Sequence, residues 1–183
     1  MIRGWLNPTR TPERLLMDYA ATKNNESLGL LVAQFNLSIY HFLLSQSNKE
    51  LAEDVLQATW LKVMNTVNKD TSYTNVKSWL FTIARNTLID ELRQQQKWQW
   101  KELQDDFVSS QNLSTEFEQM DRLAQFNAAL LSLPFYQREV FIFKQEGFSV
   151  MEICQLTNES FETVKSRLRY ARKNLKKILG SIT

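Results

Sequence analysis

The sequence predicts an all-α protein: two small helical domains joined by a linker, the C-terminal one containing a helix-turn-helix. Three observations lead there. Four glycines and three prolines among 183 residues are too few turn formers for a β-rich domain. Apolar residues recur at steps of three and four through most of the chain. Between Lys101 and Gln125 the pattern stops and the charge changes sign, with Glu102, Asp105, Asp106, Glu116, Glu118 and Asp121 against Lys101 and Arg122. Within it, residues 105–115 (DDFVSSQNLST) have no helical period and read as linker.

At 43% apolar and 23% charged, the chain is neither disordered nor low-complexity. Lys and Arg exceed Asp and Glu only by 22 to 20, so charge says nothing about partners until it is located. The single cysteine, Cys154, allows no internal disulfide and no cysteine zinc site, and suits a reducing compartment. The single histidine, His41, has no activated nucleophile beside it in sequence. With no Gly-rich phosphate loop either, no catalytic residue, metal, cofactor or small-molecule substrate is expected. The N-terminal MIRGWLNPTRTPERLL has no apolar h-region and is not read as a signal peptide. The apolar stretch Leu28 to Leu44 is broken by Gln34, Asn36, Ser38 and His41, and is read as too polar to span a bilayer. A cytoplasmic protein is expected.

Thr11-Pro12-Glu13 starts a helix: a capping hydroxyl, a proline in the first turn, an acid at the dipole's positive end. It runs to about Lys23, where Asn24-Asn25 breaks it. The second helix, about Glu26 to Ser45, carries Leu30, Leu31, Phe35, Ile39, Phe42 and Leu43 at helical spacing. The third runs from about Lys49 to Val67, followed by the polar loop NKDTSYT. The fourth, about Asn75 to Trp98, is apolar on most sides and is expected to be the central, most buried helix. A helix from about Glu116 to Leu131 opens the second unit. Pro134 then starts another, about Phe135 to Gln145, which ends before Gly147. Ser149 and Glu152 form a capping box for a short helix, about Val150 to Leu156. The turn Thr157-Asn158-Glu159 leads to a long helix capped by Ser160, and Asn158 tolerates a left-handed conformation.

Short helix, three-residue turn and long helix make a helix-turn-helix. In the last helix Val164, Leu168, Ala171, Leu175 and Ile178 form an apolar stripe. From 163 to 179 the bases Lys165, Arg167, Arg169, Arg172, Lys173, Lys176 and Lys177 meet no acid. Such a helix fits the DNA major groove, its first turns at base edges and its later ones near phosphates. A solvated basic face on a helical hairpin would look the same.

The run LPFYQREVFIFKQEGFSVMEICQLTNESFETVKSRLRYARKNLKKIL resembles region 4 of the sigma-70 family, which reads the minus-35 promoter element. The match is sharpest at Thr163-Val164-Lys165-Ser166-Arg167-Leu168 and Ala171-Arg172. It implies minus-35 contacts from Ser160, Glu162, Thr163, Lys165, Ser166, Arg167, Arg169, Tyr170, Arg172 and Lys173. Glu162 departs from a DNA-binding pattern; it suits the helix dipole and could accept from a cytosine amino group. LuxR-type regulators carry similar TVKSR helices, so this half alone also fits an operator-binding dimer.

The N-terminal half separates the two. Glu50, Glu53, Asp54 and Gln57 lie at i, i+3, i+4 and i+7, one polar stripe that a solvated face would also show. LAEDVLQATWLKVM resembles the family's region 2.2, which docks on the RNA polymerase clamp. The resemblance therefore implies core-polymerase contacts from Glu50, Glu53, Asp54, Gln57 and Trp60. VKSWLFTIARNTLIDELRQQQKW resembles region 2.3–2.4 of the extracytoplasmic-function (ECF) sigma factors through Trp79-Leu80-Phe81, Ile83-Ala84-Arg85-Asn86 and Ile89-Asp90. Most of that run reads as packing, with function at its rim. The family melts the minus-10 element and captures a flipped base in the preceding loop. That implies minus-10 roles for Ser72, Tyr73, Thr74, Asn75, Lys77, Ser78, Thr82, Arg85 and Asn86, with Tyr73 as a stacking face.

The resemblance gives a domain plan: region 2 over 1–100, an acidic linker over 101–120, region 4 over 121–183. It implies RNA polymerase core and promoter DNA as partners, and an anti-sigma factor, often membrane-bound, that holds the protein inactive. Where many relatives are arginine-rich after Arg93, this chain has Gln94-Gln95-Gln96-Lys97-Trp98-Gln99-Trp100, and residues 1–10 have no assigned counterpart.

Overall fold

Most helix starts of the first unit are set by a local polar group. In the computed structural model, which describes residues 11–68, 73–102 and 122–180, the Thr11 hydroxyl accepts from the Arg14 amide at 3.3 Å and starts α1, Pro12–Thr22. Lys23 closes it at φ 54°, the left-handed cap. Asn24 caps α2, Asn25–Gln46, and Asn48 caps α3, Lys49–Thr66. Asn75 Oδ1 accepts from the Ser78 amide at 2.9 Å ahead of α4, Val76–Glu102. The second unit holds α5 (Arg122–Leu131), α6 (Phe135–Gln145), α7 (Val150–Thr157) and α8 (Phe161–Gly180). The described residues contain no strand.

α4 continues past the expected end near Trp98, because Gln99-Trp100-Lys101-Glu102 contains no Gly or Pro to stop it. Its last two residues thus fall inside the expected linker. The expected helix start at Glu116, the rest of the linker, residues 1–10 and Ser72 lie outside the described residues.

α2 shares the centre with α4. It packs on α1, α3, α4, α5 and α6, and α4 packs on α1, α2, α3 and α7 and reaches α6 through Phe81–Phe143 and Arg85–Glu139. The reason is position: α2 has Leu31, Phe35, Ile39, Phe42 and Leu43 buried along one side, and its C-terminal half reaches the second unit. α2 is also long and apolar enough, at a mean hydropathy of 1.4, to pass a length-and-composition test for a membrane span. The polar interruptions that argued against a span do not lower it below that test. Its packing on five helices is that of a bundle core.

One apolar cluster crosses the boundary between the units. Phe42 of α2 stacks on Phe143 of α6 (centroids 4.7 Å, 26°), and Phe81 of α4 meets Phe148 edge-on at 5.1 Å. Such ring pairs contribute roughly 0.5–1.5 kcal/mol each beyond their buried area. A second, smaller cluster (Ala129, Leu130, Leu133, Phe141, Ala171, Leu175) lies wholly within the C-terminal unit.

Candidate nucleic-acid interface

The capping box of α7 forms in both directions: Ser149 Oγ accepts from the Glu152 amide at 3.2 Å, and Glu152 Oε2 from the Ser149 amide at 2.8 Å. These bonds hold the Glu152 carboxyl below its ordinary range. Asn158 takes the left-handed conformation, φ 54°. Ser160 Oγ accepts from the Thr163 amide at 3.1 Å and starts α8. Val164, Leu168, Ala171 and Leu175 are buried, which turns Glu162, Lys165, Arg169, Tyr170, Arg172 and Lys173 outward. Glu162, Lys165, Ser166, Arg169 and Arg172 line one groove with Lys144 and Val150, about 500 Å³ in volume. Lys165 Nζ sits 5.1 Å from the Phe161 ring centre and Arg169 5.1 Å from that of Tyr170, so exposed aromatics accompany the bases. Thr163 and Ser166 are half-buried, and the Ser166 hydroxyl donates to the Thr163 carbonyl at 3.0 Å.

Arg167 does not join this face. It turns inward, donates to Glu159 at 2.9 Å and lies 4.7 Å from the centre of the Tyr136 ring. Positions 164, 167, 168 and 171 share the buried side of the helix. Arg167 therefore ties the turn to α8 and α6.

On α3, Glu50, Glu53, Asp54 and Gln57 are exposed on one stripe, as expected. Lys49 lies 3.8 Å from Glu53, an exposed pair of little energetic weight. Trp60 departs from the stripe. It is 9% exposed, and its indole N–H donates to Asn36 Oδ1 at 2.9 Å across to α2. Trp60 follows Leu56 by four and precedes Val63 by three, so it lies on the buried side of α3.

The rim of α4 differs most from expectation. Tyr73 is 9% exposed, with its ring against Trp79 at 4.8 Å and its hydroxyl accepting from the Asn68 amide at 3.2 Å. Its ring is packed away and offers no stacking face in this state. Thr74, Asn75 and Asn86 are exposed, and Ser78 and Thr82 half-buried. The Thr82 hydroxyl donates to the Ser78 carbonyl at 2.8 Å, and Ser78 Oγ has no hydrogen-bond partner among the described residues.

Lys77 and Arg85 are engaged by the second unit. Lys77 Nζ donates to the Glu146 carbonyl and lies 3.8 Å from its carboxylate. Arg85 is buried and forms a two-point pair with Glu139, Nε to Oε1 at 2.7 Å and Nη2 to Oε2 at 3.3 Å. Burial nevertheless pushes the Glu139 carboxyl above its ordinary value, outweighing the hydrogen bond and charge of Arg85 and the charge of Arg167. Glu139, Glu146 and Glu152 were not anticipated as partners of α4, nor Asn36 as the anchor of Trp60. The only sequence signal was Glu139 itself, an acid next to Val140 and four residues before Phe143 on a buried face.

Residues 31–98 match the family description "Sigma-70 region 2", and residues 123–175 match "Sigma-70, region 4". The chain is 32% identical over 143 residues to the ECF RNA polymerase sigma factor SigM of Bacillus subtilis, covering 75% of this chain and 86% of that protein. It is 27% identical over 161 residues to the RNA polymerase sigma factor YlaC of the same species, covering 85% and 93%. Among solved structures it is similar to the sigma factor RpoE of Bartonella quintana in complex with the anti-sigma factor NepR (26% identity, TM-score 0.70, covering 85% of this chain and 98% of that one). The region 2 match sets aside the operator-binding dimer.

Proposed function

The chain belongs to the ECF group of sigma-70 family RNA polymerase sigma factors, which direct the polymerase core to promoters, and we propose that it divides that task among three surfaces. The exposed stripe Glu50, Glu53, Asp54 and Gln57 docks on the core polymerase, with Trp60 fixing the helix from behind through Asn36. The α8 face, with Lys165, Arg169, Arg172 and Lys173 outward, reads minus-35 duplex, and Ser160, Glu162 and Tyr170 flank it. The rim Thr74, Asn75, Ser78, Thr82 and Asn86 meets the melted minus-10 strand, and Lys77 and Arg85 join it once released from Glu146 and Glu139. Tyr73 joins it only if the loop rearranges, because its ring is packed here. The protein acts as a non-catalytic subunit in the cytoplasm, where the polymerase is. An anti-sigma factor is proposed as its inhibitor, because the RpoE relative was solved in complex with one.

The observation behind this reading is the pairing, on one chain, of an acidic stripe on α3 with a basic, groove-fitting α8. The test is co-elution with core polymerase followed by run-off transcription on a promoter library. Asp54→Ala should weaken core binding roughly tenfold, about 1.4 kcal/mol. Lys165→Ala should weaken minus-35-dependent initiation while core binding is kept. Full core affinity in Asp54→Ala removes the docking assignment.

A further inference from the structure

Lys165, Ser166, Arg169 and Arg172 of α8 line the groove, and Arg167 does not. At 3.6 residues per turn, Arg167 stands about 160° round the helix from both Lys165 and Arg169. Its guanidinium is engaged elsewhere. Nη2 donates to Glu159 Oε1 at 2.9 Å, and Nη1 is buried with no partner among the described residues. The guanidinium carbon lies 4.7 Å from the centre of the Tyr136 ring. Glu159 belongs to the turn between α7 and α8, where its amide donates to the Cys154 carbonyl at 3.1 Å. Tyr136 belongs to α6. One side chain thus links the reading helix to the turn before it and to α6.

The rest of the α8 seat is apolar: Val164, Leu168, Ala171 and Leu175. Apolar burial is non-directional and tolerates a small roll of the helix. A charged hydrogen bond joined to a stacked guanidinium plane does not, because both depend on angle. Base-edge hydrogen bonds are just as sensitive to angle, whereas attraction between a basic side chain and a phosphate is not. We infer that Arg167 is a positioning residue: held by Glu159 and Tyr136, it fixes the roll of α8 and so sets discrimination among minus-35 sequences without touching DNA. The inference rests on the assignment of α8 to minus-35 duplex.

The test measures binding of core polymerase carrying the full chain to promoter duplexes with matched and mismatched minus-35 elements, over a salt series. Arg167→Lys keeps the charge and loses the planar fork. It should lower the matched-to-mismatched affinity ratio about tenfold, with mismatched binding and the salt slope unchanged. Glu159→Gln separates tether from charge by sign. Removing an acid near DNA strengthens binding to both duplexes by charge alone, whereas losing the tether weakens the matched one only. The double variant Arg167→Lys/Glu159→Gln should lose no more than either single variant, because both break the same bond. If Arg167→Lys loses helical circular dichroism, Glu159→Gln decides alone, since it leaves Arg167 and Tyr136 in place. An unchanged ratio in either single variant overturns the inference, as does a loss shared by both duplexes or a double variant whose losses multiply. A salt slope lowered by about 0.9 in Arg167→Met also overturns it, because Arg167 would then be a phosphate contact. Lys165→Ala and Arg169→Ala test the underlying assignment. If they too leave the ratio unchanged, α8 does not read the minus-35 element and both readings fall. If they lower it while the Arg167 and Glu159 variants do not, only the positioning role falls.

Discussion

Arg85 and Glu139 show how a buried pair holds two units together without being a simple gain in stability. Glu139 is fully buried, and its loss of hydration outweighs what Arg85 returns, so its pKa lies above the ordinary 4.5. The folded chain thus binds this proton more tightly than the unfolded chain. Its contribution to stability is unperturbed below pH 4.5, declines as pH rises towards the folded value, and is level above that. Arg85→Ala removes the groups that restrain the rise, so the window extends to higher pH and the loss at neutral pH deepens. Thermal unfolding across a pH series should therefore find Arg85→Ala rescued by acid. Glu139→Ala instead strands the buried Arg85 guanidinium, should cost about 3–5 kcal/mol at neutral pH, and should not be rescued by acid. Equal pH profiles for the two variants would refute this account of the pair. The sequence marked Glu139 as an acid among core residues, but its partner lies 54 positions away in the other unit, beyond any local pattern.

Helices were the legible scale because the signals that bound them are local. The Ser149–Glu152 box, the left-handed Asn158 and the Thr11-Pro12 start each involve residues within four positions, and each formed as read. Ser149→Ala should cost roughly 1 kcal/mol in urea unfolding, since an orphan amide of α7 loses its acceptor. Assigning a helix face is harder than finding the helix. The family resemblance groups Arg167 with the minus-35 contacts, although its spacing from Val164 and Ala171 puts it on the buried side, where it bonds Glu159. The exposed bases divide by position along α8. Arg169→Ala, in the groove, should cost about 1–3 kcal/mol on matched minus-35 duplex and little on mismatched duplex. Lys173→Ala, outside the groove lining, should weaken both alike and lower the log–log salt slope of holoenzyme binding by about 0.9. Binding isotherms over a salt series separate the two behaviours, and a sequence-dependent loss in Lys173→Ala would place it at base edges instead.

At the scale of the molecule, the sequence showed two units and a linker but not their contact. Docking depends on pairs such as Phe42 with Phe143, and each ring looks like an ordinary core residue of its own helix. α6 faces both ways: Phe143 and Val140 enter the cluster shared with the first unit, and Phe141 enters the cluster that α6 shares with α5 and α8. The two faces therefore give opposite expectations for hydrogen exchange. Phe141→Ala should speed exchange in α5, α6 and α8 and leave α2 and α4 protected, because only the smaller cluster loses a ring. Phe143→Ala removes the ring that stacks on Phe42 and meets Phe81 edge-on, and should cost about 3–5 kcal/mol. Its effect should spread to α2 and α4 as well as α6, because the cavity opens between the units. If Phe143→Ala speeds exchange in α6–α8 alone, the shared cluster does not couple the two units, and each folds on its own core.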